Sequence, residues 1–144
     1  MKPIKEVYPV SEYYVDHGAG AYFTAPYDYS PLLESFGYKI LLQVDDDDYQ
    51  GDSRLIFKDD ERYGLLIFGW GSCSGCDALQ ACGSYEEVEE LRNELLNEIH
   101  WESGRSAMWA YTSEKDWELE WSYHSTGTKR FIDKALDLLK KETR

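Results

Sequence analysis

The chain has 144 residues, 42% of them hydrophobic, which is enough for one ordinary domain with a real core and excludes a wholly disordered protein. Twenty-eight acids against fifteen Lys and Arg give a formal net charge of -13, a balance that repels nucleic acid and anionic membranes and favours basic partners. The longest apolar run, YGLLIFGW at 63–70, is far too short to span a bilayer, and MKPIKEVYPV offers neither an apolar signal core nor a cleavage site, so a cytoplasmic protein is expected.

In chain order, residues 1–31 hold all four prolines, and seven tyrosines fall between positions 8 and 38. Aromatic and turn residues alternate there without a helical period, which predicts a loop-rich N-terminal arm with a strand near Ala21–Thr24. Residues 38–44 (YKILLQV) read as a strand stopped by the acidic run Asp45–Asp48. Residues 54–58 and 62–70 read as a hairpin whose short turn carries Asp59, Asp60 and Glu61. Ser84 and Glu87 make a capping box, and behind it Val88, Leu91, Leu95 and Ile99 recur at helical spacing, predicting a helix over 84–100. DWELEWSYH at 116–124 alternates strictly and predicts a half-buried strand. A second amphipathic helix closes the chain over 128–140 through Phe131, Ile132, Ala135, Leu136 and Leu139. The expected fold is a single α+β domain over residues 1–144, a mainly antiparallel sheet with both helices on one face.

All three cysteines fall within ten positions of GSCSGCDALQAC, residues 71–82. A Cys-x-x-Cys turn sets two thiolates about a tetrahedral edge apart, so Cys73 and Cys76 could open a structural zinc site that Cys82 joins as third ligand. If 62–70, the helix and 116–124 form a crossover unit, the two strands run parallel and His124 returns to the edge that carries the cysteines. His124 is then the expected fourth ligand and His17 the alternative. His100, at the far end of the helix, would lie about 24 Å away.

A dithiol redox pair at Cys73 and Cys76 is the competing reading, since a strand ends at Trp70 and a thiolate beside a helix start is stabilised. Against it, no proline follows Pro31, so the cis-proline loop of a thioredoxin-type site is missing. A third reading makes the thiols small core residues. An odd, clustered set of thiols fits a reducing compartment better than a disulfide scaffold.

Nothing in the chain matches a hydrolase elbow, a phosphate loop or a deaminase motif, and Asp77 is the one acid beside the cysteines, so the expectation is a non-enzymatic protein. A calcium loop begun at Asp45 fails, because its sixth residue is Gln50 and its twelfth Ile56. The acids Asp45, Asp46, Asp47, Asp48, Asp59, Asp60 and Glu61, with the helix glutamates, are instead candidates for meeting a basic protein groove in place of phosphates.

The block from Tyr49 to Cys82, with its GSCSGCDAL string, resembles small phage and mobile-element proteins, and with the acidity it resembles the phage-borne anti-CRISPR inhibitors of Cas9, a zinc-containing type among them. The resemblance covers about a quarter of the chain. It implies a monomeric or dimeric inhibitor, acting in the host bacterial cytoplasm, that binds a basic nuclease and blocks DNA loading, with no direct contact to nucleic acid or membrane. Zinc on the cysteines would then be a staple.

Overall fold

The computed structural model describes residues 1–16, 21–73, 75–117 and 125–141. The elements run α1 (Ile4–Val7), α2 (Val10–Tyr13), β1 (Tyr14–Asp16), β2 (Ala21–Phe23), α3 (Ser30–Glu34), β3 (Lys39–Asp45), β4 (Gly51–Asp59), β5 (Arg62–Trp70), α4 (Tyr85–Glu98), β6 (His100–Glu102), α5 (Arg105–Glu114) and α6 (Ser125–Lys141). The fold is α+β. They group into two compact units, each made of two stretches of chain. The first comprises Met1–Gly37 with Trp70–Asn97, the second Tyr38–Gly69 with Glu98–Arg144.

The second unit is built on a four-stranded sheet in the order β3-β4-β5-β6. Its strands are rich in Leu, Ile and Phe, which suit a pleated, buried surface. β3 and β4 pair antiparallel with a bulge between Ile40 and Leu42, and β5 pairs antiparallel with β6, Leu65 opposite His100. The β4–β5 turn is two residues long, and Asp60 takes the left-handed conformation (φ 54°) that such a turn demands. Val44, Ile56, Tyr63 and Leu65 of the sheet pack with Met108 of α5 and with Phe131, Ala135 and Leu139 of α6. The spacing 131, 135, 139 is one face of a helix, so the apolar stripe read from the sequence is the buried one.

The pair of helices on that core is therefore α5 and α6. The short α5 was not expected, and its period is faint because only Met108 and Thr112 are fully buried along it. The helix expected over 84–100 ends at Glu98, and His100 opens β6 instead. The strand next to β5 is this antiparallel β6. Most of the strand expected at 116–124 lies outside the described residues. Trp117 is described: it packs beside Phe131, and its indole N–H donates to the Thr112 carbonyl at 2.9 Å.

In the first unit the proline- and tyrosine-rich segment is more than an arm of loops. Ile4, Tyr8, Leu32, Leu33 and Phe36 are buried, as are Leu79, Tyr85, Val88, Leu91 and Leu95. Tyr8 donates its hydroxyl to the Asp28 carbonyl at 2.7 Å, and Tyr85 donates to the Tyr8 carbonyl at 2.6 Å. Phe23 of the β1–β2 hairpin meets Tyr85 edge to face, and Tyr14 packs against the same ring at a tilt. Prolines set the starts of three short helices, standing before α1 and α2 and within the first turn of α3, where a missing N–H costs nothing.

Candidate functional site

Residues 71–82 form a loop held from inside by one carboxylate. Asp77 is buried, and its Oδ1 accepts from the Tyr29 hydroxyl at 2.9 Å and from the Gly71 N–H at 3.0 Å. Its Oδ2 accepts from the Gln80 N–H at 2.9 Å. Tyr29 in turn accepts from the Leu79 N–H at 3.2 Å, and the Gln80 side chain donates to the Gly71 carbonyl at 3.2 Å. Burial, with the Asp77 charge next to it, pushes the Tyr29 phenol well above the ordinary tyrosine range. Gly71 has to be glycine, because a Cβ there would run into the Cys76 carbonyl and Sγ. Asp77 thus organises the loop through two backbone N–H groups and the Tyr29 hydroxyl. Tyr29, forty-eight residues upstream of Asp77, carries no spacing signal that sequence reasoning could have used.

The frame presents Cys73 and Cys76 at the surface. The Cys76 N–H donates to the Cys73 carbonyl at 3.1 Å, closing a four-residue turn. The Cys73 N–H donates to Cys76 Sγ at 3.0 Å, and that thiol donates back to the Cys73 carbonyl at 3.3 Å. Hydrogen bonding from the Cys73 side chain, with help from its backbone N–H, draws the Cys76 thiol below the ordinary range.

Cys82 behaves differently. It is buried, its thiol donates to the Ala78 carbonyl at 3.4 Å, and with Glu87, Glu90 and Glu94 of α4 it borders a shallow, open depression of the surface. Burial first, then Glu87 and Asp77, pushes its thiol up to about 11. Only this cysteine matches the core reading. Among the described residues no three His, Cys, Asp or Glu side chains are arranged to hold a metal ion. The pair supplies two thiol donors of the four that tetrahedral zinc takes, while Cys82 as it stands is turned to other partners and its environment opposes the thiolate. His124 and His17 lie outside the described residues.

The acidic candidates separate by place and role. Asp45 is exposed at the end of β3, Asp47 and Asp48 are exposed in the β3–β4 turn, and Asp60 and Glu61 in the β4–β5 turn. The nine-residue β4 sets these turns about 27 Å apart, so they form two anionic tips. Asp59 is held by Arg62 at 2.6 Å. Asp46 turns inward. Its carboxylate takes both arms of Arg54, at 2.9 and 3.3 Å, and the Asp52 N–H at 2.8 Å. Arg54 is 1% exposed, so this pair is a buried tie within the hairpin and not a contact offered to a partner.

Helix α4 carries the densest charge. Six of its fourteen residues are glutamates, all exposed, and its one base, Arg92, is buried. Arg92 donates to the Lys2 carbonyl at 2.7 Å and to the Ser35 hydroxyl at 3.3 Å. No family model, curated protein or solved structure matches this chain. Among the described residues, no helix is long and apolar enough to cross a membrane.

Proposed function

We propose that the protein works by binding a basic surface of a nucleic-acid-handling protein, with no chemical step in that inhibition. The observation that carries this reading is the solvent face of α4, where Glu86, Glu89, Glu90 and Glu94 stand exposed while the helix's only base is spent inward. Carboxylates spaced along such a face substitute for phosphates opposite Arg and Lys. The second unit carries exposed acids of its own on the two hairpin turns, where Tyr49, 83% exposed beside Asp47 and Asp48, adds an aromatic face on which a guanidinium can stack. The partner that the anti-CRISPR resemblance names is Cas9, whose guide–target channel is positively charged. Occupying that channel would block DNA loading.

The test is binding of the full chain to a Cas9–guide complex across a salt series, beside the triple variant Glu89→Lys, Glu90→Lys, Glu94→Lys. We expect association that slows steeply with salt, and about a hundredfold weaker binding by the variant. No binding at low salt would remove Cas9 as the partner. Equal affinity of chain and variant would remove the acidic helix as the contact.

A further inference from the structure

We propose that Cys73 and Cys76 form a thiol–disulfide exchange site that takes low-molecular-weight disulfides of the glutathione class as its oxidant. Three observations place it. Both thiols are exposed, unlike the third. The hydrogen bond from the Cys76 N–H to the Cys73 carbonyl makes the segment a β-turn, which brings the two Cα atoms within about 7 Å, at the edge of the separation a disulfide spans. And Cys76 Sγ already lies against the Cys73 backbone, at 3.0 Å from its nitrogen and 3.3 Å from its oxygen, so a modest side-chain rotation brings the sulfurs together.

The surrounding frame fixes this turn while leaving it open. Asp77, next in sequence to Cys76, is tied to Gly71, Gln80 and Tyr29, so the turn stands on a carboxylate that accepts three hydrogen bonds. Cys82 is kept out of the exchange by burial and by its bond to Ala78. The cluster therefore divides into a reactive pair and an enclosed third thiol. That division supplies what a three-ligand reading of the cysteines leaves unexplained.

The chemistry balances in two steps. One cysteine thiolate attacks a sulfur of the disulfide RSSR, forming a protein–S–SR bond and releasing RS⁻. The second thiolate attacks the protein sulfur of that mixed disulfide, forming the Cys73–Cys76 bond and releasing a second RS⁻. Two protons leave the protein thiols and end on two RSH. The pair is oxidised by two electrons and RSSR is reduced by two. A reducing dithiol runs the sequence backwards.

The experiment equilibrates the intact chain with buffers of reduced and oxidised glutathione and reads intact mass, followed by peptide mapping. The expected result is a loss of two hydrogens per chain, mapped to Cys73–Cys76, with Cys82 alkylated only after denaturation. Cys82→Ser should form the same bond, whereas Cys73→Ser and Cys76→Ser should stop at the mixed disulfide. Wild-type mapping locates the bond even if a variant fails to fold. An unchanged mass across all buffers would overturn the proposal, as would a bond that includes Cys82. So would about one zinc per chain that survives dialysis and shields both thiols from glutathione disulfide.

Discussion

Asp46 sits in a run that reads as surface acid and Asp77 beside the cysteines, yet each turns its charge into the protein and organises a loop. Replacing Asp77 by Ala leaves the Gly71 and Gln80 N–H groups and the Tyr29 hydroxyl without their acceptor, and buried donors left so cost about 1–3 kcal/mol each. We expect a loss of about 3 kcal/mol by chemical denaturation, with Cys82 becoming open to alkylation in the native protein. Tyr29→Phe should lose about 1 kcal/mol and leave Cys82 enclosed. At the other hub, Gly127 in the first turn of α6 lies so close to Asp46 and Arg54 that a Cβ would strike both. Gly→Ala inside a helix ordinarily stabilises by about 1 kcal/mol. Here we expect Gly127→Ala to destabilise by about 2 kcal/mol, because it pries apart a buried ion pair. A thermal midpoint above wild type would contradict that. Neither role was legible beforehand, since each depends on tertiary partners: Tyr29 lies forty-eight residues from Asp77, and Gly127 lies eighty-one from Asp46. The acids' identity was plain, but which of them turn inward depends on tertiary contacts.

At the scale of elements, local signals read well where the chain uses local chemistry. The Ser84 hydroxyl accepts from the Glu87 N–H at 3.2 Å, as the capping box implied, although the Glu87 carboxylate reaches the Gly83 N–H, one residue earlier than expected. Ser84→Ala should therefore cost about 1 kcal/mol, visible as a lower midpoint of the transition followed at α4. The hairpin of β4 and β5 and the stripe of α6 were equally readable, since turn chemistry and helical period are written in contiguous residues. α5 was missed because Gly104 opens it without a side-chain cap and Trp109 is left exposed, so its period is blurred. The helix before β6 was read two residues too far for a related reason. Ile99 continues the apolar spacing and is buried, but it packs near Gly64 from the chain leading into β6. The cysteine string was recognisable as a cluster, whereas its division into an exposed pair and an enclosed third thiol depends on Asp77 and Tyr29.

For the molecule as a whole, acidity and aromatic content meet at high pH. Tyr8 and Tyr29 both belong to the first unit, and burial drives both phenols well above the ordinary range, with nearby Asp28 and Asp77 respectively adding to the effect. In the unfolded chain these groups ionise near pH 10. The folded protein holds them protonated, so its advantage is whole below about pH 10. Above that value the unfolded state releases protons that the folded state keeps, and stability falls as pH rises toward the folded pKa values. Tyr13 and Tyr85, raised mainly by desolvation, add in the same direction. Negative charge elsewhere cannot offset this, because every further ionisation adds to a chain that already carries a formal -13. We therefore expect an alkaline transition in which tyrosinate absorbance near 295 nm and loss of near-ultraviolet dichroism rise together. Tyr8→Phe keeps the buried ring but removes its bond to the Asp28 carbonyl, so it should lower stability slightly at neutral pH and make the decline above pH 10 shallower. Tyrosines that ionise at pH 10 with the dichroism intact would show that the phenols reach water without unfolding, and would remove them as the cause of the alkaline transition.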